Sequence, residues 1–554
     1  MIMKKIVSFF ITATLMVSGC TLDREPETTL ADNNFWKSET DLRGACNKMY
    51  KDLPGFVNDF RSDELRDKSQ NGISSGNRSV SGTSGDWTDP YNRIGVCNNI
   101  IIKSENAQVE TGRRNRWVAE AYFFRAYNYF ELVKKYGDVP LILKVFNSTS
   151  DADVVRARDS RETVIQQCYD DLEFALEWLP DIDDSELKND WGRVSKSAAL
   201  GLLVRIGLYE GTHKKYHHTP DGNYVDHLDK GIAAARQLMN SGKHDLYPDF
   251  NKLFLHDGEG RQNKENLFVK IYGPAGTINH KHSRQLESSI TLTRNMVDNF
   301  LYTDGLPREK SPLRIHPESS YADMLKNRDP RLAMTVFTPG EEAYKGSYVP
   351  FVTTNQNHAF GYAIKKGYIG SEYSSDGTND KMIIRYAEVL ISYAELLYEK
   401  NGSITDDQLD ATINKVRERA GFNVRLTNAF VAANGLDMLD EIRRERMVEF
   451  IDENLHYDDI IRWKTAEEVL PKAILGLIYC SDETTANYNE LKNNLTAEDG
   501  TYKGVKVYDQ GFIYVLEEAE SRSFDPERDY LYPVPTHEIS TSGGNITQNP
   551  KWGN

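Results

Sequence analysis

The chain has 554 residues, 39% of them hydrophobic and 11% aromatic, with 30 tyrosines, a formal charge of −16 and a mean hydropathy of −0.58. That is enough apolar material for large cores, and the acidic balance speaks against nucleic acid as a partner and against attraction of the body to anionic lipid. No C-x-x-C occurs, which excludes a zinc ribbon or a thioredoxin motif; Cys46, Cys97, Cys168 and Cys480 are widely spaced and read as small buried residues, not as a disulfide framework.

In chain order, the first element is a leader. Lys4 and Lys5 precede an apolar run from Ile6 to Val17, which is too short for a membrane span of ~20 residues. Ser18 and Gly19 then stand before Cys20. The pattern resembles a bacterial lipobox, so residues 1–19 read as a lipoprotein signal peptide and Cys20 as the lipid attachment point. Residues 20–34 are polar and aperiodic, as in a tether. No later stretch approaches ~20 continuous apolar residues.

A first helix is expected near Phe35, Leu42, Ala45 and Met49. Residues 61–86 form a long polar loop rich in Ser, Gly and Asn, a kind of loop that is more often functional than idle. The next long helix carries two apolar stripes, Trp117, Ala121 and Phe124 beside Phe123, Tyr127 and Phe130, and should be buried on two sides. Three more helices follow to residue 240. Another runs through Ile384, Ala387, Ile391, Ala394 and Tyr398 to a stop at Gly402. Small residues such as Gly201, Gly207 and Ala387 alternate with large ones, so helices should pack closely, in the style of tetratricopeptide pairs without their strict signature. A helical core over about 110–271 and 380–463 would be interrupted by an irregular insertion over about 272–379, where Gly, Pro, Ser, Asn and Tyr replace the periodicity.

The catalytic motifs are weak. "GISSG", Gly72–Gly76, matches G-x-S-x-G but lacks the strand before and helix after that a nucleophile elbow around Ser74 requires. His213 and His217 have metal-ligand spacing, but no H-E-x-x-H accompanies them, and surface or capping roles are expected. There is no P-loop, dinucleotide fingerprint or EF-hand, and no cofactor, metal or catalytic residue is expected. "NHKHSR", Asn279–Arg284, is locally basic in an acidic chain.

Six segments occur together: "AEAYFFRAYNYFELVKKYGDVPLI" (119–142), "NRDPRL" (327–332), "IIRYAEVLISYAELLY" (383–398), "INKVRERAG" (413–421), "IRRERMVEFIDENLHYDDIIRW" (442–463) and "YLYPVPTHEISTSGGNITQNPKW" (530–552). In this order they resemble the SusD/RagB family of nutrient-binding lipoproteins. The resemblance implies a mostly α-helical, tetratricopeptide-like fold with an irregular ligand-binding region. It implies a protein lipid-anchored at the cell surface of an outer membrane, and a SusC-like TonB-dependent transporter as partner. The ligand would be an oligosaccharide or polysaccharide, with a peptide as alternative and a surface glycoside hydrolase as the competing class. Arg443, Arg444 and Arg446, with Glu445 and Glu449 on the same helix, read as ion-paired supports. The family site is built from loops here corresponding to 61–87 and 272–373. Its candidate platforms are Trp87, Tyr272, Tyr302, Tyr362 and Tyr368, and its candidate polar groups Asp63, Asp67, Asn71, Arg78, His280, His282 and Arg284. Trp87 and Tyr91 are also candidates for the core. Arg78 and Arg284 would suit an acidic glycan, since a guanidinium grips carboxylate or sulfate bidentately.

Overall fold

The computed structural model describes residues 35–553 apart from 147, 149–150, 274–277, 289, 316–317, 319, 344–345, 349–360, 375, 479–500, 503–504 and 508–512. Cys20, the leader, the tether and Cys480 lie outside the described residues.

The fold is mostly helical. Its long helices are α1 (Glu39–Lys51), α2 (Gly85–Lys103), α3 (Thr111–Tyr136), α4 (Arg161–Trp178), α5 (Lys196–His217), α6 (Tyr224–Asn240), α7 (Tyr386–Asn401) and α9 (Met438–Glu449), with shorter α8 (Ile413–Arg419) and α10 (His456–Arg462). Their ends follow local chemistry. Ser38 accepts from the Asp41 amide and Asp41 answers the Ser38 amide, a capping box that starts α1. Gly402, at φ +69°, ends α7 where the sequence places the stop. The buried stripe of α1 is Leu42, Cys46 and Met49, displaced from the expected Ala45, with Phe35 ahead of the helix.

Helices α2, α3 and α4 pack in succession, as do α5, α6 and α7. Both stripes of α3 are buried except Tyr127, which is half-buried. The α5–α6 approach is very close: a Cβ on Gly207 would lie 2.7 Å from the Gly231 amide nitrogen and the His227 carbonyl. Cys46, Cys97 and Cys168 are buried free thiols in this core, and burial raises the pKa of each.

Between the two groups of helices run β2 (Asn266–Lys270) and β5 (Lys381–Arg385), paired antiparallel with Phe268 opposite Ile384. Three short strands, β1 (Leu65–Arg66), β3 (Thr291–Leu292) and β4 (Tyr362–Ala363), form a small sheet in the order β1–β3–β4. This sheet belongs to a second hydrophobic cluster, where Leu65, Leu292, Met296, Phe300, Tyr321, Leu332 and Tyr362 meet Val448 and Ile451. The aperiodic region therefore has a core of its own, made from short helices and two-residue strands too brief to leave a periodic trace in sequence.

Candidate functional site

The framework beneath the site is a buried set of charges. Arg331, Arg385, Arg417, Arg419 and Lys366 face Asp329, Glu265, Glu445, Glu449 and Glu453, so the cluster is balanced. Arg331 reaches Asp329 at 2.7 Å, Glu445 at 2.5 Å and Glu449 at 3.1 Å. Arg385 joins Glu265, Glu449 and Glu453, each at 2.8 Å. Arg417 binds Glu445 at 2.7 Å, and Arg419 binds Glu265 and Glu449. Despite burial, Arg419, Arg385 and Arg331 hold Glu449 down to about 2. The expected supports on α9 exist: Arg443 pairs with Glu399 and Arg446 with Asp459 on other elements, while Arg444 pairs with Glu441 one turn away on α9 itself. Asp459 also binds Arg462, which pairs with Glu395 at 2.6 Å. Four of the sequence segments quoted above are thus tied into one point.

This framework fixes Glu453, and beside it Asp452 helps hold a surface turn, residues 52–61, "DLPGFVNDFR". Lys270 Nζ donates to the Leu53 carbonyl at 2.6 Å. Asn58 Nδ2 donates to Asp452 Oδ1 at 2.8 Å. Arg61 grips Asp59 with two hydrogen bonds, of 2.8 and 2.7 Å, and lies 4.3 Å from the Tyr457 ring. The Phe56 ring stacks on His282 (4.2 Å, 21°), touches His280 at 4.3 Å and Tyr272 at 5.8 Å, and lies under the Lys381 ammonium at 5.1 Å. Gly55 is closely approached: a Cβ there would stand 2.2 Å from the Tyr272 hydroxyl oxygen, so a larger residue must displace that ring or the turn.

So held, the turn presents Pro54 and Val57 to solvent, Val57 being 65% exposed. Hollows flank it. One of about 490 Å³ lies between α1, α2 and α3 and includes Met49, Asp52, Pro54, Arg93, Phe124 and Tyr127. The other, about 360 Å³, runs from Pro54 past Asn71, Tyr127, Lys134, Lys381, Glu453 and Asp458 to Tyr532. Pro54 and Tyr127 border both, so the two form one groove with apolar surface at its middle and paired charges along its wall: Lys134 with Asp458 at 2.5 Å and Glu131 at 2.8 Å, Lys135 with Asp86 at 2.6 Å. A third small hollow adjoins Phe56, His282, Lys381 and Glu453.

The sequence-derived candidates scatter around this groove. Asn71 borders it, with its Oδ1 accepting the Ile73 and Ser74 amides. Tyr272, His280 and His282 are brought together, but beneath the turn, 9%, 9% and 4% exposed. They support Phe56 and offer no free ring face, which corrects their expected role as a platform. Trp87 is a core residue, edge-on to Tyr136 at 4.9 Å. Tyr302 and Tyr362 are also buried, beside Arg328 and Arg294 respectively, and Tyr368 donates to Glu287. Asp63 accepts from His456 Nε2 at 2.8 Å and, despite burial, lifts that imidazole to about 9. Arg78 is committed to the C-terminal segment: it donates to the Asp529 carbonyl at 2.6 Å and lies over Tyr532 and Trp552. Asp67 caps its neighbour's amide and Arg284 is exposed on the short helix His282–Ser288. These placements answer the expectation for an acidic-ligand pair, since Arg78 is inaccessible to a ligand carboxylate.

Ser74 sits in a tight turn with its hydroxyl on the Asn71 carbonyl, without a strand–turn–helix around it. His213 is buried, while half-buried His217 caps the end of α10 by its bond to the Ile461 carbonyl; the two rings stack in parallel, 4.1 Å apart. Among the described residues no group of three or more His, Cys, Asp or Glu side chains could hold a metal ion. The groove turn itself was missed. Its sequence signal was present, a Pro-Gly pair with flanking Phe and Val directly after a helix, where an exposed apolar turn is unusual.

The SusD family model matches residues 250–552, and residues 45–208 match a second family described as starch-binding and associating with the outer membrane. The fold and this match define a SusD-type outer-membrane-associated binding protein, and the chain belongs to the SusD family. It is 27% identical to the SusD-like protein P2 of Formosa agariphila over 99% of this chain and 100% of that one. It is 26% identical to a SusD-like protein of Bacteroides ovatus over 83% of each. A SusD-like carbohydrate-binding protein of Bacteroides fragilis superposes with a TM-score of 0.74 at 25% identity, covering 92% of this chain and 99% of that chain. The surface glycan-binding protein A of Bacteroides fluxus shares the fold, with a TM-score of 0.60 at 20% identity over 93% and 100%.

Proposed function

We propose that this protein captures a glycan chain in the groove along residues 52–61 and hands it to a SusC-like TonB-dependent transporter, while a lipid on Cys20 keeps it at the cell surface. The observation that carries the reading is the turn: an apolar crest, Pro54 to Val57, between two connected hollows whose walls hold paired charges. Sugars need both, an apolar surface for their C–H faces and fixed polar groups for their hydroxyls. The carbohydrate-binding names of the relatives support the ligand class. The groove is open and elongated, which suits a chain more than a single ring.

Binding, without bond cleavage, is the chemistry proposed. Two carboxylates of the groove wall are engaged by cations: Asp458 by Lys134, Glu453 by Arg385 and Lys366. Such pairing favours the ionised form and opposes the protonated carboxyl a glycosidase acid needs. Affinity electrophoresis against a polysaccharide panel tests the assignment. One or more polysaccharides should retard the protein, and Val57→Asp should abolish the retardation without lowering Tm. Retardation unchanged by Val57→Asp would remove the groove from the function, and release of reducing ends by pure protein would overturn the binding assignment.

A further inference from the structure

A second cavity, of about 530 Å³, opens between the start of α4, the end of α5 and the C-terminal segment, and shares no lining residue with the groove. Its size falls within the ~300–1,000 Å³ typical of small-ligand sites. Its walls carry both signs, with Asp138, Glu162, Asp221 and Glu527 beside Arg158, Arg161, Lys214, Lys464 and Arg528, and two of these cations make no ion pair among the described residues. Arg158 donates to the carbonyls of Tyr136, Asp138 and Thr547 and to Asn549 Oδ1, all neutral acceptors. No carboxylate ion-pairs with it among the described residues, and burial pulls its pKa below the ordinary arginine value. Lys464 borders the same cavity, likewise with no carboxylate partner among the described residues. By contrast, the other inward cations are answered: Arg161 by Glu210 at 2.7 Å and Lys214 by Glu162 at 3.0 Å. Arg158 and Lys464 are half-buried, and a ligand carboxylate would give them the ion pair they lack.

Neutral polar groups are also left open. His213 is 5% exposed, borders the cavity, and its Nδ1 has no hydrogen-bond partner; the Thr219 hydroxyl on the same rim has none either. Buried polar atoms are seldom left so, and a ligand hydroxyl would satisfy both. His217 is turned by its hydrogen bond, Nε2 to the Ile461 carbonyl at 2.7 Å, and stacks on His213 while Tyr530 meets it edge-on at 4.6 Å. Aromatic walls, two cations without ion pairs and unpartnered hydroxyl and imidazole groups form one pattern. We infer that this cavity is a separate binding site for a carboxylate-bearing sugar of one or two rings, with Lys464 and Arg158 facing the carboxylate and His213 and Thr219 facing ring hydroxyls. The site stands independently of the groove and, unlike it, selects for charge.

The test is ligand-observed NMR titration of the full chain with glucuronate, with glucose, acetate and sulfate as separate arms. Glucuronate should bind, glucose should bind at least about tenfold more weakly, and acetate and sulfate should fail to match glucuronate. Lys464→Met should weaken glucuronate about tenfold and Thr219→Val a few-fold, both with unchanged Tm, because neither side chain holds another element. Val57→Asp should leave glucuronate binding intact while losing polysaccharide, so failure of the groove and failure of this site are separable. The inference is overturned if glucuronate does not bind, if glucose or the simple anions bind as well, if Lys464→Met changes nothing, or if Val57→Asp abolishes glucuronate binding.

Discussion

Phe56 owes its position to two neutral histidines. Burial depresses both His280 and His282, and the Lys381 ammonium depresses His282 further. A histidine whose folded pKa lies below its unfolded value of ~6.5 stabilises fully above that pH and loses the contribution as pH falls below it. Protonation would put a second cation against Phe56 beside Lys381. Glycan affinity should therefore weaken as pH falls from 7 to 5, and His282→Phe should flatten that dependence; an affinity constant over this range in wild type would contradict the arrangement. Gly55→Ala should be more damaging than its size suggests. The added Cβ meets the Tyr272 hydroxyl, so the turn or the ring beneath it must move, and binding should fall at least tenfold with a small change in Tm.

At the scale of elements, two contacts set the helical frame. Gly207→Ala inserts a methyl between α5 and α6, where backbone lies 2.7 Å from the new atom, and should destabilise by about 1–3 kcal/mol in denaturant unfolding. Glu449→Gln leaves Arg331, Arg385 and Arg419 short of a shared counter-charge and should cost about 3–5 kcal/mol. Its folded pKa is depressed, so the stabilisation is present above ~4.5 and lost as pH falls toward 2. A wild-type protein with the same stability at pH 3 as at pH 6 would contradict it. The long helices, their small-residue approaches and the stop at Gly402 were legible because each is written locally, in period and cap. The ion cluster was half legible. Its residues stood out in the quoted segments, but their partners lie in other segments, 28 residues away for Arg417 and Glu445 and 114 for Arg331 and Glu445, and no local pattern encodes such pairing.

For the whole molecule, the same division explains the site. Reading aromatics and histidines out of the loops found the layer under the proposed groove: Tyr272, His280 and His282 converge, as a cluster in sequence suggests, but on Phe56. Trp87, Tyr302 and Tyr362 were drawn into cores because large rings in a body of this size find burial more often than exposure. Only the assembled framework distinguishes the support from the crest it carries. The direct test of that account is hydrogen–deuterium exchange of the protein with and without the polysaccharide that retards it. The account predicts new protection over residues 52–61 and the facing part of α3 around Tyr127 to Lys135. Protection absent there and confined to other surfaces would contradict it.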